Sequence, residues 1–132
     1  MKTLSAIPIK SPYIDMILIG VKTWEIRSKS TKKIGPVALI KSRSGTVVAT
    51  AYLSEDIFLT RKICLENAGE MGMVKEDAVR CVGAHAWVLN DLIKLNKPVP
   101  YKHPPGAITW VTLDEATTKK VLKEANKSPK VF

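Results

Sequence analysis

Lys22, Glu25 and Arg27 fall close together in the run Gly20-Val21-Lys22-Thr23-Trp24-Glu25-Ile26-Arg27. An ammonium, a carboxylate and a guanidinium held within a few ångströms can grip a phosphate and a base edge together. Lys and Arg suit the anionic oxygens, and Glu suits an exocyclic amine. A desolvated carboxylate in that position can also move protons. The plainer alternative is a solvated, salt-bridged strand face of little energetic weight.

Other polar side chains extend the candidate set. Ser42 can donate to a phosphate or merely close a hairpin. His85 lies in an apolar strand, where it reads either as a satisfied core histidine or as a cleft residue. Lys102 and His103 sit in the Pro-rich loop Pro98–Gly106, and loops often carry function. Trp24, Trp87 and Trp110 read as core rather than as stacking platforms. Most of Glu66, Glu70, Glu76 and Asp77 should be solvated. No His/Cys set has metal-ligand spacing and no glycine-rich phosphate loop occurs, so no metal and no cofactor is expected.

Charge narrows the partner. Twenty-one Lys and Arg against twelve Asp and Glu give a net charge of +9. Such an excess concentrates polyanions, nucleic acid above all. It is uneven: residues 1–43 carry Lys2, Lys10, Lys22, Arg27, Lys29, Lys32, Lys33, Lys41 and Arg43 against Asp15 and Glu25. The Lys29–Lys33 loop and Lys41–Arg43 are therefore candidate contacts to nucleic acid or nucleotide. No apolar run is longer than Met16–Ile19, which is far below the roughly 18 residues of a membrane span. No secretory signal and no basic amphipathic helix in that half are visible, so no membrane contact is expected. Cys64 and Cys81 lack C-x-x-C spacing and read as two buried thiols, which points to a reducing, cytoplasmic setting.

The chain of 132 residues suits one domain, here 1–127, with a frayed tail at 128–132 after Ser128-Pro129. Leu4–Ile9 reads as a strand with Pro8 at an edge or end. Ser11 should cap a helix whose first residue is Pro12, whose apolar stripe is Tyr13, Ile14, Ile17 and Leu18, and which Gly20 ends. Lys22–Arg27 follows as a strand with Trp24 and Ile26 on the core face and Thr23, Glu25 and Arg27 opposite. Strands are expected at Val37–Lys41, Thr46–Leu53, Ala84–Leu89 and Ala107–Val111, with Asp91–Leu95 extended. Residues 61–80 look helical but broken, and Thr112–Glu115 reads as a capping box for a helix to Ala125. The fold class is α+β: a small barrel of five to six mostly antiparallel strands with flanking short helices.

The string Gly20-x-Lys22-x-x-Glu25-x-Arg27, preceded by Pro12-Tyr13 and a short apolar helix, resembles the signature of the ASCH domain, a PUA-like family. Gly35–Ser42, Gly83–Leu89 and the Pro100–Gly106 loop with Trp110 also fit, so the resemblance covers nearly the whole chain. It implies a β-barrel whose cleft is lined by the signature residues and binds RNA or modified nucleosides. One branch resembles an N4-acetylcytidine amidohydrolase using a Lys, a Thr nucleophile and a Glu. Lys22 matches that lysine, whereas Glu25 stands at the threonine and Thr23 is on a different register. Another branch shows ribonuclease activity with a signature closer to this one. The resemblance thus implies a binding module whose cleft is lined by Lys22, Glu25 and Arg27, and the residue types add Ser42, His85, Lys102 and His103 to the candidate ligand set. The alternative is a hydrolase in which Lys22 polarises substrate, Glu25 is general base and Arg27 stabilises negative charge. A protein partner stays open.

Overall fold

A run apolar at nearly every position can be buried on both faces, and Gly35–Lys41 is such a run. It forms β3 (Gly35–Lys41) near the middle of one six-stranded sheet, with Val37 to Ile40 buried. The computed structural model describes residues 2–132; Met1 lies outside them. β1 (Ser5–Ile9) lies parallel to β3, with Ser5 opposite Val37 and Ile9 opposite Lys41. On the other side β4 (Thr46–Phe58) pairs antiparallel with β3 through the Ser44-Gly45 hairpin. β5 (His85–Pro100) then pairs with β4, β2 (Trp24–Arg27) with β5, and β6 (Val111–Thr112) with β1. The order is β2-β5-β4-β3-β1-β6. Register shifts at three places between β4 and β5 bend these long strands, so the sheet curls into a half-barrel. The expected α+β barrel class holds.

Helices cover what the curl leaves open. They are α1 (Tyr13–Leu18), α2 (Arg61–Glu66), α3 (Lys75–Ala78) with a 3₁₀ turn after it, and α4 (Glu115–Ala125). One apolar cluster inside the curl joins Ile7, Ile9, Ile14, Ile17, Leu39 and Trp87. A second lies between the sheet and α4, and a third packs Trp24 against Leu59, Cys64 and Met71. Cys64 is buried, Cys81 half-buried, and both are free thiols. No helix among the described residues is long and apolar enough to cross a membrane.

Several boundaries differ from expectation. The helix after Ser11 starts at Tyr13, and no side chain caps it. Ser11 instead hydrogen-bonds the Asp15 carboxylate and, with Lys41, holds it below the usual carboxylate range. Gly20 does end that helix, at φ +82°, with the Val21 N–H reaching back to the Met16 carbonyl. The strand expected at Ala84–Leu89 runs unbroken to Pro100, because the ladder to β4 absorbs Asp91 at a positive φ of 49°. β4 likewise passes Leu53 to reach Phe58. The last strand shrinks to Val111–Thr112, since Pro104, Pro105 and Gly106 open a long loop before it.

The helical cap also moves. Thr112 is taken by the ladder, opposite Ser5, so the Thr112–Glu115 box does not form. Asp114 caps α4 instead, accepting from the Thr117 N–H at 2.7 Å. Nor do residues 128–132 fray: Lys130 bridges Ile93, and the Val131 N–H donates to the Leu92 carbonyl at 2.7 Å. Val131 and Phe132 pack against the core, and that burial outweighs the break at Ser128-Pro129.

Candidate functional site

β2 supplies the first wall. Its alternation holds: Trp24 and Ile26 join the cluster under α2, while Glu25 and Arg27 face the inside of the curl. Both faces are therefore enclosed, and Glu25 is only 6% exposed. Its Oε2 accepts from Arg27 Nε at 2.9 Å, and the guanidinium lies 5.5 Å over the Trp87 ring. Trp87 stacks in turn on Trp110 at 5.3 Å and donates from Nε1 to the Lys29 carbonyl.

The second wall is the half of β1 that β6 does not reach. β6 pairs only with Ser5 and Ala6, so the chain from Ile7 to Ile9 has an open edge. Pro8 lies there, which suits a residue lacking an N–H. Arg27 Nη2 donates to the Pro8 carbonyl at 2.6 Å and so clasps β2 to β1 across the seam of the half-barrel. Above this clasp opens a cleft of about 570 Å³ lined by Lys10, Tyr13, Glu25, Arg27, Ser42, Arg43, Tyr101, His103 and Ile108 among others.

The structure divides the expected site residues into groups. Glu25, Arg27, Ser42 and His103 converge on the cleft. Lys22 is buried in an adjoining recess of about 250 Å³, which shares Tyr13 and Glu25 with the cleft. Its Nζ donates to the Met71 carbonyl at 3.0 Å and sits 5.7 Å from the Tyr13 ring. Gly72, at φ +70°, lets the chain approach closely: a Cβ there would stand 3.0 Å from Lys22 Cβ and 2.7 Å from Met16 Cε. His85 lies outside the cleft; its Nδ1 donates to Asp56 at 2.8 Å, the satisfied-histidine alternative. Lys102 lines a neighbouring groove. Thr23 donates to Glu70 and does not reach the cleft.

Burial and charge oppose each other here. Burial pushes the Glu25 carboxyl above its usual range, more strongly than Arg27 and Lys22 pull it down. Burial likewise pushes the Lys22 ammonium down, partly offset by Glu25. The loop Ser28–Ile34 does not line the cleft. It is a strap held over the sheet by the Trp87 indole, by Asp56 accepting the Thr31 N–H at 2.5 Å, and by Lys33 over Trp110. Lys41 is engaged by Asp15 at 3.2 Å, so of the Lys41–Arg43 pair only Arg43 faces the cleft.

Tyr13 and Tyr101 are the residues that sequence reasoning missed. Tyr13 was expected in the apolar stripe, yet it is 47% exposed at the cleft. The polar end of a tyrosine beside the signature was the available signal. Tyr101 donates its hydroxyl to His103 Nδ1 at 2.8 Å, and His103 Nε2 donates to the Ala107 carbonyl at 2.7 Å. The carbonyl can only accept, so this tautomer of His103 follows from the geometry.

A curled α+β half-barrel with a cleft at its seam, lined by Lys10, Arg27, Arg43 and two tyrosines, is the class that this architecture defines. Solved structures with the same fold are ASCH proteins. That of ASCH from Zymomonas mobilis superposes with a TM-score of 0.66 at 17% identity, covering 90% of this chain and 93% of that one. A tyrosine-to-phenylalanine variant of the Zymomonas mobilis protein gives 0.65 at 18% identity, over 92% and 98%. A serine-to-alanine variant gives 0.63 at 18%, over 95% and 96%. The fold is that of the ASCH domain, as the Gly20–Arg27 string led one to expect. No family model matches the chain, and no curated protein matches it.

Proposed function

We propose that the cleft binds RNA or a modified nucleoside, holding phosphate and base edge together. The observation that carries this reading is the company the cleft keeps. Lys10 and Arg43 line it without an ion-pair partner among the described residues, next to the buried Glu25 paired with a half-buried Arg27, and two tyrosines. Arg43 is held at φ +68°, a left-handed backbone that non-glycine residues rarely adopt and that clusters at functional sites. In this reading Lys10 and Arg43 take phosphate, Tyr13 and Tyr101 offer ring faces, and Glu25 accepts from an exocyclic amine. Ser42 supplies a hydroxyl to the same ligand.

Fluorescence anisotropy with labelled RNA at several salt concentrations tests it. The Lys10→Ala/Arg43→Ala double variant is expected to bind about tenfold more weakly. Its salt slope should fall by about 1.4, at roughly 0.7 per lost phosphate contact to a single strand. Unchanged affinity and slope in that variant would overturn the reading.

A hydrolase acting on the same ligands is the second reading. The buried Glu25 carboxyl favours it, since burial raises it above the usual carboxylate range and so makes it a better proton acceptor than a free carboxylate. Turnover of RNA or N4-acetylcytidine that disappears in Glu25→Ala would support it. Binding without turnover leaves the module.

A further inference from the structure

A second groove adjoins the cleft at His103. Tyr101 and His103 also line this groove of about 250 Å³, whose far side is formed by Lys102, Pro104, Pro105, Asp114 and Thr117. The shared wall is braced, because His103 is hydrogen-bonded through both ring nitrogens, to Tyr101 and to Ala107. Burial also pushes the Tyr101 hydroxyl up, so it remains a neutral donor.

We propose that cleft and groove form one continuous track for a single-stranded polynucleotide, with a free nucleoside filling only its first part. This deepens the nucleic-acid reading above and rests on it. Sites for small molecules enclose most of their ligand. This cleft is a trough instead, with Tyr13 and Ile108 on its rim at 47% and 79% exposure, and the second groove begins on the other side of the Tyr101–His103 wall. A groove with cations along it and aromatic faces within it is what single strands require.

Cations continue beyond the wall. Lys102 is exposed on the groove, and Lys120 lies one turn along α4 from Thr117; the Thr117 hydrogen bonds hold the Asp114 carboxyl below its usual range and Lys120 adds to this. Asp114 is the one carboxylate lining the groove among the described residues, and it already accepts from the Thr117 N–H. Phosphates therefore pass on the Lys102 side, while a ribose hydroxyl or an exocyclic amine meets Asp114. The ribose hydroxyl gives the track a means of preferring RNA to DNA.

The test compares a mononucleotide with a hexanucleotide of the same base, in the wild-type chain and in Lys102→Glu/Lys120→Glu. Both lysines lie outside the cleft and are exposed, so the variant keeps the fold. The hexanucleotide is expected to bind wild type at least about tenfold more tightly than the mononucleotide. Charge reversal should remove most of that gain and leave mononucleotide affinity within about twofold. Equal affinity for both lengths, or a hexanucleotide indifferent to the reversal, overturns the track while the cleft reading stands. Failure of both probes to bind overturns the cleft reading and the track with it.

Discussion

Arg27→Ala is expected to destabilise the domain by about 3–5 kcal/mol near neutral pH, and Glu25→Gln added to it to restore most of that loss. The magnitude comes from stranding a charge. Glu25 is 6% exposed, and Arg27 is its only ion-pair partner among the described residues. The substitution also removes the clasp to the Pro8 carbonyl and the contact with Trp87. The pH dependence has a definite sign. Glu25 carries a raised pKa in the folded chain, so folding takes up a proton between the ordinary carboxylate value and the raised one. Stability therefore falls as pH rises through that window and stays lower above it. Without Arg27 the window extends upward. Urea melts of Arg27→Ala and the double variant from pH 4 to 8 should converge at the acid end, at roughly the ordinary carboxylate range. A deficit that stays constant across pH would refute this account.

Trp87→Ala should remove about 3–5 kcal/mol, the usual range for emptying a large aromatic site. In a domain of this size that lowers the melting temperature by about 10–15 °C. Trp87 is fully buried and meets three groups at once: the Trp110 ring, the Arg27 guanidinium and the Lys29 carbonyl. Trp87→Phe keeps most of the apolar contact but strands that carbonyl, so it should lose about 1–3 kcal/mol. Thermal melts of the two variants decide the matter. Shifts of less than about 3 °C for the alanine variant would mean that the site collapses without consequence.

The charged face of β2 was legible because alternation in a strand is strict. Trp24 and Ile26 had to face one way, so Glu25 and Arg27 had to face the other. What alternation cannot say is whether that other side meets water. Here the curl of β4 and β5 encloses it, and the bends that produce the curl are register shifts with no sequence mark of their own. Tyr101 and His103 reach the cleft from a loop distant in the chain, so only the tertiary fold places them beside Arg27. His85 and Lys102 were equally plausible by type. Asp56 claims the first, and the second turns toward α4. The cap of α4 was misread for a related reason: Thr112 and Asp114 are both good caps, and only the pairing of Thr112 with Ser5 removes it from competition.

The strap over Trp87 and Trp110 has a consequence for how the chain tolerates being cut. Lys29, Lys32 and Lys33 are exposed on it, and among the described residues it joins no strand ladder. Trypsin should nick the chain there first. The piece so released carries β1, α1 and β2, and the topology grips it at two separate places. β1 stays between β3 and β6, and β2 stays against β5. The two fragments are expected to co-elute as one folded particle on gel filtration and to part only in denaturant, which makes the strap a natural point at which to split the protein for complementation.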